Sequence, residues 1–144
     1  MSLVCVIDAS VVVRLFIADA LSARAIALFD QLGATSSAIF HAPDLVYSET
    51  ESVLRKRALV SHYPNIRRDM VRLYDFPFEV TSCRDLMIDA ATISLARVIS
   101  SYDAFYVALG ARTGAPLVTA DEKLVRALTG IAPYDVRSLA TFAP

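Results

Sequence analysis

Two stretches of this 144-residue chain, Leu3-Val4-Cys5-Val6-Ile7 and Pro116-Leu117-Val118-Thr119-Ala120, carry no charge at any of five consecutive positions, and each stops at an aspartate. A strand with one wet face alternates apolar and polar residues, whereas a strand covered on both faces does not. Such runs call for a sheet sandwiched between helices. The rest of the chain supplies the helices. Helical periodicity predicts Ser10 to Phe16 and Leu21 to Leu32, the latter stopped by Gly33. A short strand at Ile39 to Ala42 precedes a helix with Pro43 in its first turn, running to about Leu59. A basic helix follows Pro64 and reaches about Tyr74, and Phe78 to Val80 is a strand. Asp85 to Ile99 is helical, and Ser101 caps a helix ending at Thr113 before Gly114. Leu117 to Thr119, Asp121 to Leu128 and Ile131 to Val136 complete the pattern as strand, helix and strand.

This alternation predicts an α/β fold, a three-layer α/β/α sandwich around a mostly parallel sheet, as a single domain over residues 1–144. In such folds ligands bind beyond the carboxyl ends of the strands, near the point where the strand order reverses.

Hydrophobic residues make up 56% and charged residues 20%, which excludes a disordered chain. No apolar run approaches the roughly 18 residues of a membrane helix. The N-terminus shows neither a basic region nor a signal-peptide core, so a cytoplasmic protein without membrane association is expected. Cys5 and Cys83 form no disulfide framework or zinc spacing, and His41 and His62 are too scattered for a triad or zinc site; all read as structural. Net charge is −1, so no bulk field favours nucleic acid. Arg55, Lys56, Arg57, Arg67, Arg68 and Arg72 nonetheless cluster, as a solvated pair of helices or as a phosphate-binding patch.

Four acids stand where an acid is awkward for folding. Asp8 and Asp121 end the two strand-like runs, Asp103 opens a helix that is apolar all round, and Glu49 shares a helical stripe with Leu45, Val46 and Val53. From Asp103 the helix climbs roughly 15 Å at 1.5 Å per residue. The strand from Ala115 to Ala120 returns roughly 16 Å at about 3.3 Å per residue. With neighbouring strands, Asp121 comes level with Asp103, and all four acids converge on one rim. Each has a bland account: Asp121 and Asp8 as helix caps, Asp103 as a charge favoured by the helix dipole. Glu49 is the hardest to explain that way.

Carboxylates gathered within a few ångström cannot all ionise without a cation. An all-oxygen donor set favours Mg²⁺ or Mn²⁺, ions that bridge phosphate oxygens and activate water. Ser10 and Thr119, beside Asp8 and Asp121, are supporting hydroxyls, and Arg14 is a candidate phosphate contact.

Val6-Ile7-Asp8-Ala9-Ser10, Pro43 followed by Glu49 with Val53-Leu54, Tyr102-Asp103-Ala104-Phe105-Tyr106-Val107-Ala108-Leu109, and Leu117-Val118-Thr119-Ala120-Asp121 resemble the PIN domain, above all the VapC-type toxins of toxin–antitoxin pairs. The resemblance spans nearly the whole chain. It implies a flavodoxin-like sandwich, Mg²⁺ or Mn²⁺ held by Asp8, Glu49, Asp103 and Asp121, and endonucleolytic cleavage of RNA. It also implies a homodimer and inhibition by a small antitoxin. Ser52 departs from the asparagine common in relatives, and Glu51 is an added acid. Glu122 is a peripheral acid that also suits a first helical turn.

The competing non-enzymatic reading is a receiver-like signalling domain with an acidic pocket, but Ala9 follows Asp8 where paired acids are needed, and no mid-chain aspartate serves as phospho-acceptor. A haloacid-dehalogenase-type phosphatase needs Asp-x-Asp, and the second acid is Ser10 here. Four glycines form no Gly-x-Gly-x-x-Gly loop, which leaves a dinucleotide-binding domain without its signature.

Overall fold

In the computed structural model of the protein, which describes residues 2–34, 37–61, 63 and 65–143, the run ending at Asp8 is the central strand of a five-stranded, all-parallel sheet. In chain order the elements are β1 (Val4–Ile7), α1 (Ala9–Val12) continued by a 3-10 turn (Val13–Leu15), α2 (Ser22–Ala34), β2 (Ile39–Pro43), α3 (Leu45–Val60), α4 (Ile66–Tyr74), β3 (Glu79–Thr81), α5 (Cys83–Arg97), α6 (Ser101–Thr113), β4 (Leu117–Thr119), α7 (Glu122–Leu128) and β5 (Val136–Ser138). The sheet order is β3-β2-β1-β4-β5. The chain steps outward from β1 to β3, then crosses back to β4 and β5. Parallel crossovers are right-handed, so this reversal puts α1–α4 on one face and α5–α7 on the other. Helix α6 packs across β1, β2 and β4, with α5 along it.

Two-sided cover explains the unbroken apolar runs. Cys5, Val6, Ile7, Leu117 and Val118 are all buried. Over β2, Phe29 meets Phe40 edge-on at 5.3 Å and Phe76 at 5.4 Å. Val6 stands opposite Leu117 and Ile7 opposite Val118, and the Asp8 N–H donates to Val118 O at 3.1 Å. Asp8 and Thr119 therefore leave the sheet side by side, where the strand order reverses.

Several boundaries differ from expectation, and four of them have a plain physical reason. Ser100, one residue before Ser101, caps α6 by accepting the Asp103 N–H at 3.0 Å. Gly33 does not stop α2, which continues to Ala34. Pro43 closes β2 instead of opening α3; a residue without an N–H is tolerated at a strand end. The last strand is Val136–Ser138, not 131–136, because Pro133 interrupts the apolar run and cannot donate to a ladder. Gly114 ends α6 as foreseen, at a φ of 70 that favours glycine.

Cys5 and Cys83 are both free. The structural reading of His62, and the Pro64 start of the basic helix, lie outside the described residues. Among the described residues, no helix is long and apolar enough to cross a membrane.

Candidate active site

Asp8 is 6% exposed, and two hydroxyls are aimed at one of its oxygens. Ser10 Oγ donates to Asp8 Oδ2 at 2.5 Å and Thr119 Oγ1 donates to the same atom at 2.7 Å. Each hydroxyl is in turn fixed by backbone: Ser10 Oγ accepts the Ala120 N–H and Thr119 Oγ1 accepts the Asp121 N–H, both at 3.0 Å. A short polar network thus stitches the end of β1 to the end of β4. Both hydroxyls, expected to orient ligands or waters, are directed at Asp8 Oδ2 in this structure.

Asp121 does what its simplest reading required. Its Oδ1 caps α7, accepting the N–H of Lys123 at 2.9 Å and of Leu124 at 3.3 Å. Asp103 lies in the first turn of α6, half-buried, where the dipole favours a carboxylate. The buried stripe of α3 is Val46, Thr50 and Leu54, while Val53 is 41% exposed. Glu49 is therefore at the margin of the stripe, half-buried, and not within it. Its Oε1 accepts the Tyr106 hydroxyl at 2.8 Å. The sequence places Tyr106 in an apolar helix and in a segment resembling the PIN domain; nothing local signals a partner on α3.

Burial holds the carboxyls of Asp8, Glu49 and Asp103 above the usual carboxylate range. Their hydrogen bonds oppose the rise, and mutual repulsion adds to it. Asp103 acts on Asp8, Asp8 and Asp103 act on Glu49, and Asp121 acts on Asp103. None of the four acids forms an ion pair among the described residues; Arg14, Arg68, Arg72 and Arg137 pair with Asp19, Asp69 and Asp135 instead.

The acids are neighbours but do not line one cleft. Asp103 and Asp121 open into a cavity of about 360 Å³ with Ser100 and Lys123. Glu49 opens into another of about 370 Å³ with Ser52, Lys56 and Tyr102. Among the described residues, no three His, Cys, Asp or Glu side chains are grouped to hold a metal ion as they stand. The donor chemistry still fits a hard divalent cation: the groups are oxygens alone, they repel one another, and among the described residues none is in an ion pair.

The surroundings divide the remaining candidates. The cleft at Glu49 shares Val53 and Lys56 with a cavity of about 390 Å³ that also contains Arg14, Arg57, Ile17 and Val60. Arg14 is not free there: its Nη1 donates to Ser10 O at 2.5 Å and its Nε lies 2.9 Å from Asp19 Oδ2. The Nε hydrogen is not aimed at that carboxylate, so the contact is Coulombic and not a directed bond. Glu51 is exposed, and Glu122 is engaged by the Ser138 hydroxyl.

The sequence model of the PIN domain matches residues 5–128. The chain belongs to the PIN domain family. Among solved PIN-like structures, PAE2754 from Pyrobaculum aerophilum is 21% identical with a TM-score of 0.69, over 98% of this chain and 94% of that one. A toxin–antitoxin complex from Klebsiella pneumoniae is 15% identical with a TM-score of 0.65, over 94% and 97%. VapBC2 from Rickettsia felis, bound to a DNA fragment from its promoter, is 11% identical with a TM-score of 0.62, over 94% and 98%. At these identities the likeness is one of fold. No curated protein matches this PIN domain.

Proposed function

We propose that this PIN domain is a Mg²⁺- or Mn²⁺-dependent endoribonuclease, acting as the toxin of a VapBC-type toxin–antitoxin pair. PIN domains are generally nucleases. The observation that carries the reading is the set of four mutually repelling carboxylates, none of them in an ion pair among the described residues, at the reversal point of the sheet. Asp8, Asp103 and Asp121 would hold the ion and Glu49 would complete the set. When bound, such an ion supplies Lewis-acid polarisation of the phosphodiester and offsets the charge that builds during in-line attack.

The protein's own groups do the rest. Ser10 and Thr119 fix the orientation of Asp8 through Oδ2. Tyr106 fixes Glu49 through Oε1. Lys56 and Arg57 along the joined clefts, with Arg14 at their far side, offer phosphate contacts leading away from Glu49. With a net charge of −1, affinity for RNA must come from such local placement. The reading includes a small antitoxin partner and a homodimer; toxin–antitoxin complexes among the structures of like fold support the partner.

Asp8→Asn tests the mechanism. The amide oxygen can replace Oδ2 and keep both hydroxyl bonds, so the variant is expected to fold. Its cleavage of RNA with Mg²⁺ or Mn²⁺ should fall on the order of 100-fold or more, as for loss of a group acting in the transition state. A folded variant cutting at the parent rate ends the proposal.

A further inference from the structure

We propose that Tyr106 is a positioning residue, one buried hydroxyl that sets Glu49 in the arrangement a divalent ion needs; this rests on the reading of the site as a metal-dependent nuclease centre. The ring is 1% exposed and belongs to the core. A buried phenol must place its O–H on a partner. Here the partner is not a backbone carbonyl but Glu49 Oε1, 57 residues earlier in the chain. Asp8 is near enough to the same phenol for its charge to act on it. Tyr106 follows Asp103 by three residues in α6, which puts both on one helix face.

One side chain thus bonds α6, which carries Asp103, to α3, which carries Glu49, with Asp8 of the β1–α1 junction close by. Filling the core requires only the ring, and phenylalanine would supply it without burying a hydroxyl between two carboxylates. The hydroxyl has a different effect. A glutamate at the margin of its helix has several rotamers, and fixing it costs conformational entropy. Pinning one oxygen to Tyr106 settles that orientation before any ligand arrives. Partners that orient a ligating carboxylate in this way typically contribute about 10–100-fold to metal affinity.

The test is Mn²⁺ affinity, read from the EPR signal of free Mn²⁺ on the full chain, for the parent, Tyr106→Phe, Glu49→Ala and the double variant, with thermal midpoints alongside. Tyr106→Phe is expected to bind Mn²⁺ about 10–100-fold more weakly than the parent while remaining folded. In the Glu49→Ala background the same change should add nothing, because the hydroxyl acts through Glu49. Binding by Tyr106→Phe within about twofold of the parent, with Asp8→Asn weakened, overturns the proposal and leaves the metal site standing. An equal loss with and without Glu49 also overturns it, by making the effect one of general packing. A parent that binds no Mn²⁺, or no more tightly than Asp8→Asn, removes the nuclease reading and this inference together. Should Tyr106→Phe not fold, 4-methylphenylalanine at position 106 fills the hydroxyl's space without a donor and is read by the same outcomes.

Discussion

Thr50 and Thr119 are both fully buried and each stands beside a residue of the site, yet the same substitution should move stability in opposite directions. Thr119 Oγ1 donates to Asp8 Oδ2 at 2.7 Å and accepts the Asp121 N–H at 3.0 Å. Thr50 Oγ1 has no hydrogen-bond partner among the described residues. Replacement by valine exchanges hydroxyl for methyl at almost constant volume, so cavity terms drop out. At Thr119 a hydrogen bond to a charged group is lost, about 1.5–3 kcal/mol, and a part-buried N–H is orphaned, about 1–3 kcal/mol. Ser10 still serves Asp8 Oδ2, which favours the lower ends and a total of about 2.5 kcal/mol. At Thr50 an unsatisfied hydroxyl disappears and a methyl is buried, a gain of about 1–2 kcal/mol.

Urea denaturation of the metal-free protein at neutral pH measures both. Thr119→Val should lower the midpoint and Thr50→Val should raise it, with the m-value unchanged. In thermal scans the shifts correspond to roughly 8–10 °C down and roughly 3–6 °C up. Equal shifts for the two variants, or a loss of more than about 1 kcal/mol at Thr50, would show that the hydroxyl partners do not govern these sites.

Two further outcomes follow from charge and backbone. Asp8, Glu49 and Asp103 have carboxyls raised above their ordinary values of 3.8, 4.5 and 3.8 in the folded state. A raised folded-state pKa means stability that is full below the ordinary value and is lost as pH rises through the folded one. The metal-free stability of Asp8→Asn relative to the parent should therefore grow as pH rises above 3.8, in denaturation series run with a chelator; a constant or shrinking difference would refute the sign. Val98 ends α5 at a φ of 55, a left-handed conformation that a β-branched residue adopts at a cost, and its side chain is 91% exposed. Val98→Gly should stabilise the protein by about 1 kcal/mol in urea titrations, after allowing for glycine's greater freedom in the unfolded chain; an unchanged midpoint would argue against strain.

The parts of the fold that were legible in the sequence are those where a single physical demand acts alone. Leu117–Thr119 was foreseen to the residue because two-sided burial leaves no freedom for polar positions. Gly114 was legible because a left-handed turn after a helix has few tenants. Gly33 misled because a glycine inside a helix is permitted at a modest cost, so its presence does not force an end. In α3 the true stripe includes Thr50, a polar residue in the core, and periodicity drawn through Leu45 and Val53 shifted Glu49 inward. That shift concealed what Glu49 has instead: a position at the helix margin from which it meets Tyr106. The Ser10 and Thr119 neighbours of Asp8 were visible as adjacent hydroxyls, but their convergence on one oxygen depends on the β1–β4 register, which no local pattern encodes.

The molecule contains its own control for the meaning of Asp8. Asp69 is the other nearly sealed aspartate, at 2% exposure, and it is provided for as a structural carboxylate should be. Arg68 lies 3.3 Å away and Arg72 3.7 Å away, and the Tyr63 hydroxyl donates to its second oxygen. Removing such a charge would leave two arginines without their acceptor. Among the described residues Asp8 receives hydroxyls and no cation, while Glu49 and Asp103 are near enough to repel it. Burying an unpaired charge is a standing cost to folding. Asp69 shows that this chain can meet that cost with arginine; at Asp8, where the strand order reverses, protonation or the divalent ion proposed above would relieve it.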